Sequence, residues 1–272
     1  MTFKTAKPSS PGNLTSPQSG SPVINKMTAD DIIVSLKAGL SDFRARPVMS
    51  GFFGFFYALF GISFVWCLFW VGKVWMVIPA AIAFPLVAPF AAAGLYEMSR
   101  RLQKSESFGW IDILTVMANQ RRREMGWMAF VTLFILWIWF YQFRTLLVVT
   151  LQDSSFSDLD GFITAVFYTP EGWTFLVIGT CVGALLSAVL FSVTVIAMPM
   201  LLDHEADFIS AMLTSVRVVQ ENPLVMLVWA AIITLTMILS FVPAFLGLIV
   251  TLPILGHTTW HLYQRAIPPM TK

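Results

Sequence analysis

The sequence predicts an all-α, polytopic membrane protein: six transmembrane helices arranged as three helical hairpins, each preceded by an amphipathic helix on the cytoplasmic face. Three observations lead there. Hydrophobic residues make up 57% of the 272 positions and charged residues only 12%, with a mean hydropathy of +0.76, whereas a soluble domain carries roughly a quarter charged residues. Uncharged apolar runs recur, each long enough for a ~30 Å hydrocarbon core, which needs about 20 helical residues. Of the 17 Lys and Arg, only Lys73, after the first run, and Arg144, toward the far end of the third, fall on one side; the others lie before the first run, after even-numbered runs or at the C-terminus. By the positive-inside rule both termini are then cytoplasmic and the number of spans is even. The net charge of +2 is too small to point to nucleic acid.

Residues 1–27 hold Pro8, Pro11, Pro17 and Pro22 among Ser, Gly and Thr, with no apolar core. This is the composition of a disordered tail rather than a signal peptide. Thr28 and Asp31 form a capping box with Asp in place of the usual Glu, so a helix begins near Ala29. Its apolar residues Ile32, Leu36, Leu40 and Phe43 share one face, and Lys37, Asp42 and Arg46 occupy the other. Pro47 ends it, and Val48–Gly72 is the first span. The second, Val74–Tyr96, contains Pro79, Pro85 and Pro89 and is expected to be kinked or partly broken. Glu97, Arg100, Arg101 and Lys104 return the chain to water, and a second surface segment runs from Trp110 to Glu124. Gly126–Thr150 is the third span, Gln152–Glu171 reads as a polar loop, and Gly172–Leu202 is the fourth span, closed by Asp203-His204-Glu205.

From Asp207 the first module recurs. Phe208, Met212, Val216 and Val219 repeat the spacing of Ile32, Leu36, Leu40 and Phe43, and both copies step 16 residues from an aspartate, Asp31 or Asp207, to a proline, Pro47 or Pro223. Two apolar spans and a polar exit, Gly256 to Tyr263, follow. The middle copy is degenerate, with Arg121 at an apolar position. The register match divides residues 28–266 into repeat-like units of about 28–105, 106–204 and 205–266, leaving 267–272 as a C-terminal tail. Pro85, Pro199 and Pro253 fall at comparable depth in the second span of each pair, where they are candidate hinges or pathway residues.

Few residues carry chemistry. His257 and His261 lie four apart on one helical face, and His204 is expected on the same side of the membrane; these are the candidate metal ligands, against a plainer role as interfacial caps beside an aromatic belt of Trp260 and Tyr263. Arg144 either lines a polar pathway or snorkels to the interface. Cys67 and Cys181 both lie in apolar runs, so no disulfide framework or CxxC motif is available. No nucleophile–base motif, phosphate loop or metalloprotease motif occurs. No catalytic, cofactor-binding or metal site is therefore assigned.

Several stretches carry a family resemblance: Arg46-Pro47, Gly94-Leu95-Tyr96-Glu97 with Ser99-Arg100-Arg101, Pro199-Met200-Leu201-Leu202-Asp203, Asn222-Pro223, and Leu246-Gly247-Leu248 through Pro253 and Gly256-His257 to Thr259-Trp260-His261-Leu262-Tyr263 and Arg265. In these the chain resembles the bacterial predicted integral membrane proteins grouped as domain of unknown function 2189. The resemblance implies a multi-span inner-membrane protein and brings no activity with it. His204 departs from the arginine expected after Asp203. The functional expectation is a non-enzymatic accessory or scaffold component, whose partners are the lipid bilayer and other inner-membrane proteins or further copies of itself, with a small-molecule or ion transporter or channel as the alternative.

Overall fold

A computed structural model describes residues 23–71, 91–120, 124–151, 159–204 and 206–268. Among these residues the chain is helical, with no strand. The helices are α1 (Ala29–Ala45), α2 (Pro47–Val71), α3 (91–103), α4 (Trp110–Gln120), α5 (Glu124–Leu151), α6 (Leu159–Tyr168), α7 (Pro170–Thr194), α8 (Ala197–Asp203), α9 (Phe208–Glu221), α10 (Pro223–Phe241) and α11 (Leu248–Ala266). Four stretches of the described residues are long and apolar enough to cross a membrane: Pro47–Trp66, Glu124–Leu151, Pro170–Asp203 and Pro223–Phe241. Most of the second predicted span, with Pro85, lies outside the described residues.

The local signals act as expected at most helix ends. The Asp31 carboxylate accepts hydrogen bonds from the Thr28 amide (2.8 Å) and hydroxyl (2.9 Å) at the start of α1. Pro47 stops α1 and serves as the first residue of α2, where its missing N–H costs nothing. Pro223 does the same between α9 and α10.

Three features differ from the sequence reading. The polar loop proposed for Gln152–Glu171 contains a helix, α6. Its one aspartate, Asp160, stands near its start, and the run from Phe162 to Tyr168 is apolar: Val166 is buried with Leu151 and Phe175 in a small cluster against α5 and α7. Thr169 then caps α7, accepting from the Gly172 amide at 3.0 Å. The fourth span begins at Pro170 and breaks into α7 and α8 at Val195–Ile196. Pro199 is the cause, because its ring is incompatible with a helical carbonyl four residues back, at Val195. The break is closed from outside, where the Ile196 amide donates to Ser215 Oγ of α9 at 3.1 Å.

The third difference concerns the surface helices. On α1 the fully buried residues are Ile32, Ser35 and Gly39, and on α9 they are Ala211, Thr214, Ser215 and Val218. Most of the apolar residues that marked the stripe, among them Leu36, Leu40, Met212 and Val216, are half-buried beside them. Small residues face inward because both helices approach a neighbour closely. Gly39 lies on the backbone of α11 at Thr258 and Ile254.

The core centres on α11, which packs against α1, α2, α8 and α10. Gly54 of α2 lies against the Leu248–Ile249 backbone, and Gly61 against the Phe245 ring. The carbonyl that Pro253 leaves without a helical donor, that of Ile249, faces Gly51 and Gly54. Gly256 meets Leu95 of α3. Ala244 and Phe245 take positive φ values of 49° and 66° in the α10–α11 turn, which puts the Phe245 ring onto Gly61. The outward face of the bundle is apolar and aromatic, as in Phe130, Phe134 and Trp137 of α5.

Candidate functional site: a polar cluster around the last helix

The polar exit of α11 is buried. His257, Thr258, Trp260, Leu262 and Tyr263 have almost no exposed surface. Trp260 and Tyr263 are therefore not an interfacial belt: Trp260 stacks on Tyr96 (ring centroids 6.2 Å apart) and sits 5.6 Å from Tyr263. His257 does not cap toward headgroups either. Its Nε2 lies 3.0 Å from Ser50 Oγ of α2, and its Nδ1 lies 2.7 Å from Ser99 Oγ of α3. A neutral imidazole offers one donor and one acceptor, so two hydroxyls satisfy it fully.

One turn on, His261 joins α1 to α3. Gln103 of α3 fixes the arrangement: its Oε1 accepts from Trp260 Nε1 at 3.2 Å, so its amide nitrogen donates to His261 Nδ1 at 2.9 Å and to Gln264 Oε1 at 2.7 Å. His261 Nδ1 is then an acceptor. Its proton resides on Nε2, which donates to Asp42 Oδ2 at 2.8 Å. The Tyr263 hydroxyl donates to Asp203 of α8 at 3.1 Å, and Arg265 to Asp31 of α1 at 2.8 Å.

Glu97 completes the layer from α3. It is fully buried and accepts from Arg100 (2.7 and 2.9 Å) and Arg101 (2.6 Å). Burial pushes the carboxyl upward, but the two guanidinium groups outweigh it and hold Glu97 below its ordinary value of 4.5. Hydrogen bonds from Thr28, then Arg265, likewise hold Asp31 below 3.8. Groups with depressed folded-state values add stability above their unfolded values and lose it as the pH falls through the folded ones. Thermal unfolding in detergent is therefore expected to move to lower temperature as the pH drops below about 4, with a weaker acid dependence in Glu97→Gln. An identical acid limb in wild type and variant would show that Glu97 does not contribute.

The three histidines do not converge. His204 lies 3.6 Å from the Asp203 carboxylate, His261 on Asp42, and His257 between two serines. Among the described residues no group of three or more His, Cys, Asp or Glu side chains is placed to hold a metal. Ser50 and Ser99 make the contacts of a nucleophile with a base. All three residues are fully buried, and their contacts join α2, α3 and α11. Arg144 is exposed on the outer face of α5. Pro199 and Pro253 are buried, one at the foot of the α7–α8 break and the other within α11.

Beside that break lies an apolar cavity of about 260 Å³, lined among others by Ala92, Tyr96, Leu190, Phe191, Val195 and Ile233. Thr194 and Thr259 also line it, but their hydroxyls donate to the carbonyls of Leu190 and Leu255 in their own helices.

A helical bundle with apolar outer faces and a polar layer around one end is an integral membrane protein. Residues 76–203 match the model of the family described as predicted integral membrane protein (DUF2189). That match takes in Gly94–Glu97, Ser99–Arg101 and Pro199–Asp203; Arg46-Pro47, Asn222-Pro223 and the α11 stretch lie outside it. No curated protein and no solved structure matches the chain.

Proposed function

We propose that the protein is a six-span component of the inner membrane, with both termini cytoplasmic, acting as a non-enzymatic scaffold or accessory subunit. The observation that carries this reading is the closed polar layer: Ser99, Gln103, Asp203, His257 and His261 are engaged with one another and with Ser50, Asp42 and Tyr263, and Glu97 beside them is held by Arg100 and Arg101. Polar groups in a membrane protein are costly and usually mark a pathway. Here they join α1, α2, α3, α8 and α11 into one rigid end on which a partner could be mounted.

Three sets of hydrogen bonds support the even span count, because bonded groups lie on one side of a membrane. The Asn25 amide donates to the Ala266 carbonyl at 2.9 Å, and the Met27 amide to Asn222 Oδ1 at 2.7 Å. The Phe208 amide donates to Glu124 at 3.1 Å. His261 meets both Asp42 and Gln103. Residues 42 and 103, 124 and 208, and 222 and 266 thus each bracket one hairpin. A fluorescent protein fused to the C-terminus is expected to fluoresce in the cytoplasm, and a phosphatase fused after Ser157 to be active outside it; the reverse pair of activities would refute the orientation.

Affinity purification in mild detergent tests the scaffold role. A stoichiometric membrane partner is the expected result, and recovery of this chain alone argues against it. The break at Val195–Ile196 beside the cavity favours one other reading, a carrier that uses an interrupted helix. Solute uptake in proteoliposomes, lost on substitution of Pro199 or Pro253, would support that reading over the first.

A further inference from the structure

We infer that the corner where α1 turns into α2 is a binding site for an anionic phospholipid, with the headgroup phosphate at Arg46 and one chain along α2. The inference rests on the membrane-spanning character of α2 and is independent of the scaffold role.

The apolar half of the site is continuous. Val48 (79% exposed), Phe52, Phe56 and Leu59 are all open to the outside at helical spacing down α2, a face that hydrocarbon covers. Trp110 extends it onto α4, its ring 4.9 Å from that of Phe52, with Ile111 (80% exposed) beside it.

The charged half sits at the head of this stripe. Arg46 is the residue between α1 and α2, and its guanidinium carbon lies 5.2 Å from the centroid of the Phe108 ring, in the segment leading to Trp110. Stacking of this kind leaves the guanidinium edge free for a planar or tetrahedral oxyanion. Arg44 precedes it in the last turn of α1, and Lys104 follows α3 in the segment that carries Phe108. None of the three has an ion pair or side-chain hydrogen bond among the described residues, in contrast to Arg100, Arg101, Arg265 and Lys26, which are all paired. Two carboxylates lie on the same segment. Asp112 accepts from the Gly109 amide at 2.7 Å, and Glu106 lies within electrostatic range of Arg100. An excess of positive charge therefore remains at the top of an apolar stripe, and an occupant with a negative head and a hydrocarbon tail complements both parts.

The test uses the full chain, purified in a mild detergent, exchanged against mixed micelles of phosphatidylcholine and phosphatidylglycerol, and assayed for retained lipid. Each cation near a lipid surface contributes about fivefold in binding, so wild type is expected to retain phosphatidylglycerol preferentially, and Arg44→Gln with Arg46→Gln to lose that preference by roughly an order of magnitude or more. Arg46→Lys keeps the charge and is expected to keep most of the preference, and Arg144→Gln to leave it intact; both report on folding as well. Equal retention of the two lipids by wild type would overturn the proposal. So would a preference untouched by the double variant, or one abolished equally by inorganic phosphate, which would mark a site for the free ion.

Discussion

Replacing Trp260 by alanine is expected to destabilise the folded protein by about 3–5 kcal/mol, the range for truncating a large buried aromatic. Its ring has no exposed surface and packs between Tyr96 of α3 and Tyr263 of its own helix. Truncation also removes the donor that orients Gln103. With Oε1 unpaired, the amide is no longer held with its nitrogen toward His261, and the His261–Asp42 bond between α11 and α1 loses its fixed tautomer. The variant should therefore weaken two interfaces at once. A denaturant titration in mixed micelles reads the effect, with Trp137→Ala as reference, since Trp137 is 56% exposed on α5. Equal unfolding midpoints for the two variants would contradict the central position given to Trp260.

The second large effect is expected from one methyl group. A Cβ on Gly54 would lie 2.7 Å from Ile249 Cα and 2.8 Å from the Ile249 carbonyl oxygen. These are backbone atoms, so no rotamer change relieves the contact and α2 must move off α11. Overpacking of this kind costs about 1–3 kcal/mol. Gly51, one turn earlier on the same helix, has its nearest neighbours at 3.7 Å. There alanine makes ordinary contact and gains about 1 kcal/mol of helix propensity. The two Gly→Ala variants are expected to shift stability in opposite directions, and shifts of the same sign would argue against close α2–α11 packing.

What was legible in the sequence was local. The capping box at Thr28 and Asp31, the prolines at positions 47 and 223, and the long uncharged runs each act over a few residues, and each placed a helix or its end. The α7–α8 break has its cause in Pro199, yet whether a proline kinks or interrupts a helix depends on a partner such as Ser215 that can satisfy the freed amide. Asp153, Asp158 and Asp160 give the segment before α7 the composition of a polar loop, although the apolar run after Asp160 forms α6.

The polar layer was not legible because its partners are remote. Ser50 and His257 stand 207 positions apart, Ser99 and His257 158, and Asp42 and His261 219. No spacing rule connects such residues. Trp260, His261 and Tyr263 read as interfacial because aromatic and imidazole groups after an apolar run belong at a headgroup boundary on average. The packing of α1, α3 and α8 around α11 encloses them, with Gly39 allowing α1 its close approach. Gly39 itself looked like an unremarkable member of an amphipathic helix.

The central place of α11 has a consequence for biogenesis. The groove between α1, α2 and α3 is made early, and the helix that fills it follows all the other described helices in the chain. About 200 residues separate the end of α1 from the start of α11, which at 5–20 residues per second is a delay of roughly 10–40 s. Asp42 and Ser50 have no native partner on α11 for most of that interval, and Ser99 and Gln103 for the later part of it. The nascent chain enters the bilayer with an open seam and seals it only when α11 arrives, so premature stops within α11 should send an otherwise inserted protein to membrane proteolysis.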